Sequence, residues 1–406
     1  MAHRSNLGRL QEGQVLDAVP LTRDEAVALN ATRLVSVEPG PEGWRVTAAF
    51  AVGAVRCGEL VVRVQPKVGV LQVLRLLARS HSIRGLWLDE ALVDVADDAD
   101  LSGVLAVLFA AEARSALAGG PLRGYRTEDQ TLPVVRGRLR LRDQELRRFG
   151  MLVPLEVMVD EWTADTDENR RIRAACRRLL VLPDLPRAAR DRLTRIDRML
   201  ADAAVVPSGA VLAPWVATRL NVRLHRLLHL ADLVLDHVSV EHRVGDVQVH
   251  GFVLSLPWLF ERLIGRLLAE AGAQVRVLEQ QTRHLDSLNR LTIKPDLLFV
   301  DGRRPVAVAD TKYKLLDDSG RFPNADVYQL VSYCARLGLE VGHLVYAAGE
   351  PLPQPYDIIG AGVRLLVHSV QLDQPVADIE AAARALFATI ERSGGHRNGV
   401  VRSAAE

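Results

Sequence analysis

The stretch Lys294-Pro295-Asp296-Leu297-Leu298-Phe299-Val300-Asp301-Gly302-Arg303-Arg304-Pro305-Val306-Ala307-Val308-Ala309-Asp310-Thr311-Lys312-Tyr313-Lys314 sets two apolar runs on either side of Asp301-Gly302. Asp-Gly between such runs is a hairpin turn. The runs read as strands, Leu291 to Val300 and Pro305 to Tyr313. Side chains alternate faces along a strand, so Asp310 and Lys312 share one. Folding the hairpin brings Asp296 roughly opposite Asp310. A slip of one residue would turn a side chain to the other face, and a bulge could restore it.

Working outward, Leu256 to Ala271 reads as a helix carrying Phe260-Glu261, and Val275 to Gln280 as a strand. Beyond the hairpin come a helix (Ala325 to Leu337), two strands (Val341 to Ala347 and Val363 to Ser369) and a helix (Ile379 to Ile390). That order predicts a mixed α/β domain over 246–393, followed by a frayed tail at 394–406. Upstream, Leu34 to Val37, Trp44 to Phe50 and Glu59 to Gln65 read as short strands, and Val70 to Ser80 and Leu101 to Leu117 as helices. These suggest an amino-terminal mixed β/α domain over 1–150. The region 151–245 reads as helical: acids at Asp165-Thr166-Asp167-Glu168 open an arginine-rich helix, and a further helix is expected from about Ala213 to His237. The fold class is α/β, mixed.

Two adjacent carboxylates repel unless a cation lies between them. Hard oxygen ligands suit Mg²⁺, which takes one or two carboxylates and keeps several waters. A lysine two residues along can hold or help deprotonate a water and steady developing charge. Asp296, Asp310 and Lys312 together fit metal-assisted phosphodiester hydrolysis. Glu261 is placed to add a third carboxylate. Gln329 and Tyr333 stand four apart, on one face of the next helix.

Composition narrows the alternatives. The chain has 406 residues, 49% hydrophobic and 25% charged, with a net charge of +1, which excludes wholesale disorder. The longest apolar run stops at Glu112, short of a membrane span, and Met1 to Leu10 lacks the apolar core of a signal peptide. A cytoplasmic protein is expected. Cys57, Cys176 and Cys334 are too dispersed for a zinc or iron–sulfur motif and read as buried small hydrophobes. Only Lys67, Lys294, Lys312 and Lys314 are lysine against 47 arginines. Where arginine fills most basic positions, a surviving lysine marks a place that needs a compact amine. None follows glycine, so a nucleotide-binding P-loop is absent. His225 and His229 stand at i,i+4 without the Glu of a zinc-protease helix.

The ordered set Glu261, Asp296, Asp310-Thr311-Lys312 and Gln329-x-x-x-Tyr333 resembles the PD-(D/E)xK nuclease superfamily. With Lys294-Pro295-Asp296-Leu297-Leu298, Tyr313-Lys314 and Asp326-x-Tyr328-Gln329, the string is similar to the McrC family, the nuclease subunit of the two-part McrBC restriction system. Val64-Gln65-Pro66-Lys67-Val68-Gly69, Arg136-Gly137-Arg138 and Asp167-Glu168-Asn169-Arg170 extend the likeness upstream. The resemblance implies a restriction-endonuclease-like carboxy-terminal domain that cuts double-stranded DNA with modified cytosines, in anti-phage defence. It implies that Asp296 and Asp310 bind Mg²⁺ with the Thr311 carbonyl, Glu261 assisting, and that Lys312 is the catalytic lysine. Gln329 and Tyr333 would shape the site or touch the DNA backbone, and Lys314 a phosphate. A separate McrB-like AAA+ GTPase would bind and move the DNA, with the amino-terminal part docking on it.

Other readings stay open. Arg136, Arg138, Arg140 and Arg142 alternate along Val135 to Arg142, and a strand would put them on one face. They could read DNA phosphates, meet acids of a partner, or face solvent. The ten arginines of 170–198 carry the same ambiguity. The long segment before the nuclease-like domain also suits an activator or adaptor of the partner GTPase.

Overall fold

The computed structural model describes residues 8–81, 101–207, 210–237, 242–244, 247–272, 275–315, 323–348 and 355–394. The protein is mixed α/β, as expected. Its amino-terminal sheet is assembled from distant parts of the chain. In order across the sheet these are Leu10–Gln11, Leu60–Gln65, Ala51–Cys57, Val247–Ser255 and His242–Val244. The expected strand Trp44 to Phe50 ends earlier, at Ala48, and a separate strand, Ala51–Cys57, follows. Ala51–Cys57 pairs antiparallel with Val247–Ser255, Val55 opposite Gly251. That pairing crosses the boundary expected at 245.

Glycine makes the join possible. Gly53 has φ of +145°, and a Cβ there would lie 2.0 Å from the Phe252 carbonyl oxygen. A second small sheet, Val15–Val19, Gly43–Ala48 and Val35–Gly40, packs with the Arg23–Thr32 helix around Leu29, Val37, Val46 and Val62. Thr22 and Glu25 cap that helix reciprocally.

A third sheet pairs Gly124–Leu132 with Leu155–Thr163 and the short Arg138–Leu139, so it crosses the boundary expected at 150. The arginine ladder does not form. Gly137, at φ +75°, turns the chain where a Cβ would meet the Met158 carbonyl, and Leu141–Arg148 is helical. Arg136 instead pairs with Glu161, and Arg140 with Asp129 and Asp143.

The helix Asp167–Leu180 is capped by the Thr166 side chain. Its arginines are partly structural: Arg170 pairs with Asp165, Arg171 with Asp232 and Arg173 with Asp197. The helix expected from Ala213 starts later, as a 3-10 turn at Val222–Leu224 leading into His225–His237. Pro214 and the reciprocal Thr218–Asn221 turn hold the preceding residues out of it.

The carboxy-terminal sheet has six strands, ordered Arg276–Glu279, Leu297–Asp301, Arg304–Leu315, Val341–Ala348, Val363–Ser369 and Tyr356–Ile358. The first three are antiparallel, and the next two pairings are parallel. On one face, Leu263, Phe299, Ala307, Ala309, Ile379 and Phe387 join helices Leu256–Ala271 and Val376–Gly394 to the core shared with the middle helices. On the other, Val308, Leu344 and Tyr346 meet Leu330 and Tyr333 of helix Asn324–Leu337. Residues 395–406, most of the expected tail, lie outside the described residues. No helix among the described residues is long and apolar enough to cross a membrane.

Candidate active site

The hairpin register sets Leu297 against Ala309 and carries a shift between Phe299 and Val300. Continuing the ladder by one residue brings Asp296 opposite Asp310, the juxtaposition expected from the turn. Asp310 and Lys312 share strand parity with Val308, so all three point toward helix Asn324–Leu337.

Asp310 is 1% exposed. Lys312 Nζ forms an ion pair with its Oδ2 at 2.5 Å, and both Asp310 oxygens are buried without a geometrically formed hydrogen bond. Burial raises the Asp310 pKa, the neighbouring Asp296 raises it further, and Lys312 opposes both. For Lys312, burial disfavours the ammonium, but the carboxylates outweigh it and the net shift is upward. Lys312 is therefore a cation and a donor in this arrangement.

From Lys312 a hydrogen-bonded line runs through both residues expected on the next helix. Lys312 Nζ donates to Gln329 Oε1 at 3.0 Å, and Gln329 Nε2 donates to Tyr333 Oη at 2.6 Å. The Tyr333 hydroxyl donates to the Lys294 carbonyl at 3.3 Å. Thr311 donates its backbone N–H and its hydroxyl to Asp296 Oδ2, at 2.8 and 2.9 Å. Its visible part is thus to aim Asp296.

Glu261 enters from the opposite side. Its partner is Gln280, which the sequence reading missed. The Gln280 amide donates to Glu261 Oε1 and, at 3.0 Å, to Asp296 Oδ1, while its N–H donates to the Asp296 carbonyl at 3.0 Å. Glu279 pairs with Leu297, so the next position faces Asp296, in a register that no local sequence pattern states. Burial first, then Asp296, pushes the Glu261 pKa up to about 7; the Gln280 hydrogen bond and Lys294 oppose.

That shift has a measurable sign. The folded protein holds a proton on Glu261 between pH 4.5 and about 7 that the unfolded chain releases. The stability it contributes is complete below pH 4.5 and lost as pH rises through about 7. In EDTA, wild type is expected to gain melting temperature relative to Glu261→Gln as pH falls from 7.5 to 5.5. A difference that does not change with pH would assign the proton elsewhere.

Among the described residues, no three His, Cys, Asp or Glu side chains are placed to hold an ion together. The pair Asp296 and Asp310 nonetheless fits Mg²⁺, which needs only one or two carboxylates. Two buried oxygens without hydrogen-bond partners and mutual repulsion between carboxylates are what a bound cation would relieve. Lys314 ends this strand, and its side chain lies outside the described residues. Arg136, Arg138 and Arg140 sit in the 124–163 sheet module, on other elements than these. His225 bonds Asn221, and the Trp215 ring lies against both His225 and His229.

Next to Lys312, Tyr313 turns to the other face. Its hydroxyl donates to Glu12 at 3.3 Å, and its ring meets Phe50 and Phe260 edge-on. Glu12 in turn feels Lys67. The Arg304–Leu315 strand is thus braced by the amino-terminal sheet.

No curated protein matches the chain. Among solved structures, it is similar to a chain in the refined half-complex of a tetradecameric assembly of Thermococcus gammatolerans McrB AAA+ hexamers with bound McrC. Identity is 19%, the match covers 94% of this chain and 99% of that one, and the TM-score is 0.60. A chain in the cryo-EM structure of the Thermococcus gammatolerans McrBC complex matches at 20% identity over 68% of this chain and 89% of that one, with a TM-score of 0.44. The first likeness extends the shared fold over nearly the whole chain. A family profile described as McrBC 5-methylcytosine restriction system component matches residues 46–347. The chain belongs to the McrBC family of 5-methylcytosine restriction system components.

Proposed function

We propose that this chain is the Mg²⁺-dependent endonuclease subunit of a restriction system and cuts double-stranded DNA carrying modified cytosine. The observation that carries the reading is the connected line Asp310, Lys312, Gln329 and Tyr333, with Asp296 beside Asp310 on the same sheet face. When bound, Mg²⁺ would supply charge neutralisation at the scissile phosphate and a more acidic water. Asp296 and Asp310 would hold it, with the Thr311 carbonyl as the resemblance implies. Thr311 and Gln280 fix the orientation of Asp296. Lys312, held between Asp310 and Gln329, offers N–H donors to phosphate oxygens as charge develops. Tyr333 ties the Gln329 end of the line to the backbone just before Asp296.

A separate AAA+ GTPase would act with this chain, as McrB hexamers do with the McrC of the structurally similar assembly. One observation favours a second role, activation of that partner. The 124–163 module leaves a run of large apolar side chains in water, with Phe149 90%, Met151 58% and Leu152 83% exposed. Patches of this kind mark docking surfaces.

Plasmid cleavage tests both roles. Methylated and unmethylated plasmids are incubated with GTP and Mg²⁺, or with GTP and EDTA, using this chain alone and with its AAA+ partner. Cutting of methylated plasmid is expected only with Mg²⁺ and partner together. No cutting, with partner GTP hydrolysis still stimulated, would leave the activator role alone.

A further inference from the structure

Between Gln280 and Asp296 the chain makes an excursion that the site does not account for. The two residues bond each other by both backbone and side chain, so the excursion leaves and re-enters the protein at the carboxylates. It is an ordered hairpin: Arg283–His284 pairs with Thr292–Ile293. Asp286 organises its tip, accepting from the backbone N–H groups of Arg290 and Leu291 and from the Arg290 side chain. Arg336, on the helix that carries Gln329, clamps the base by donating to the His284 carbonyl. An open cleft of about 480 Å³ separates the tip from the end of that helix.

This scaffold displays leucines to water. Leu285, Leu288 and Leu291 are 42%, 67% and 57% exposed. An organised loop with three bare leucines implies something to press them against. Asp286 and Arg290 pair with each other, and the remaining charges around the leucines, Arg283, Lys294 and Arg336, are all basic. Apolar wedges among arginines, rooted at a phosphodiester-cutting site, suit duplex DNA, where such side chains enter a groove and unstack base steps. At ~3.3 Å per residue, the eight residues from Gln280 keep Leu288 within about 26 Å of the carboxylates, a reach comparable to a duplex and its grooves.

We propose that residues 281–294 form a DNA-seating hairpin: Leu288 and Leu291 wedge into a groove of the substrate duplex, and Arg283 and Arg290 flank them on its backbone. The hairpin sets which phosphate lies over Asp296 and Asp310. The inference rests on the nuclease reading and names its substrate contact.

The test uses the full chain with its AAA+ partner, GTP, Mg²⁺ and a methylated duplex. Leu288→p-benzoylphenylalanine is placed in an Asp310→Asn background, so that the duplex survives illumination. The crosslink is expected on a DNA strand, near the position cut by wild type. A crosslink to the partner subunit, or none, overturns the hairpin's role. In the otherwise wild-type chain, Leu288→Ser with Leu291→Ser is expected to raise KM for duplex roughly tenfold and to scatter the cut positions. Arg283→Ala is expected to reduce the salt dependence of binding by about one phosphate contact. Unchanged KM and cut positions in the leucine variant also overturn it. If wild type cuts and these variants behave as wild type, only the hairpin's role fails; if wild type never cuts or binds DNA, the nuclease reading fails with it.

Discussion

Asp310→Asn is expected to lower DNA cleavage by at least about 10³-fold, equivalent to roughly 4 kcal/mol of transition-state stabilisation. The substitution keeps shape and volume. It removes one of the two carboxylates that would hold the cation and the charge that anchors Lys312. The fold should not suffer. Asp310 is a buried carboxylate beside another, and both burial and Asp296 disfavour its charge. Neutralising it removes that penalty, so the melting temperature in EDTA is expected to hold or rise at pH 7.5. Paired cleavage and melting measurements check both halves. Cleavage within tenfold of wild type would take Asp310 out of the machinery.

Gly53→Ala is expected to cost roughly 3 kcal/mol or more and to leave little folded protein. Its Cβ would sit 2.0 Å from the Phe252 carbonyl oxygen, and φ of +145° is strained for any L side chain. Backbone cannot yield there without parting Ala51–Cys57 from Val247–Ser255. That strand pair leads into the Glu261 helix: the Leu256 N–H bonds the Phe50 carbonyl at 3.0 Å. Denaturant unfolding of Gly53→Ala against Gly58→Ala separates strain from crowding. Gly58 also has positive φ (+58°), but a Cβ there meets nothing within 4 Å. A Gly53 variant no less stable than the Gly58 variant would show that the strands part freely.

The carboxy-terminal site was legible because its information is local. Asp301-Gly302 fixes the turn, alternation fixes the faces, and together they put Asp296 near Asp310 and Lys312 beside it. The Gln329 and Tyr333 spacing needed only helical periodicity. Gln280 was not read because its place depends on a third strand whose register no local pattern states. The pairing of Val55 with Gly251 lies further beyond reach, since nearly two hundred residues separate strands with ordinary apolar patterns. The arginine ladder failed at Gly137, where left-handed backbone breaks the alternation of Arg136, Arg138, Arg140 and Arg142. The scarcity of lysine pointed at the stretch from Lys294 to Lys314. There Lys312 lies on Asp310 and Lys294 acts on Glu261.

The module of residues 124–163 leaves and rejoins the body through Gly124 and Thr163, which face each other across the end of one strand pair. Paired residues stand about 5 Å apart, the span of a tight turn. The chain is therefore built like a cassette at this seam: a segment with its own sheet, attached through a single narrow neck. Such an attachment lets the cassette be exchanged between relatives without altering the path of the chain around Asp296 and Asp310. Under the proposed roles, partner choice and cutting chemistry are then free to diverge independently within one polypeptide.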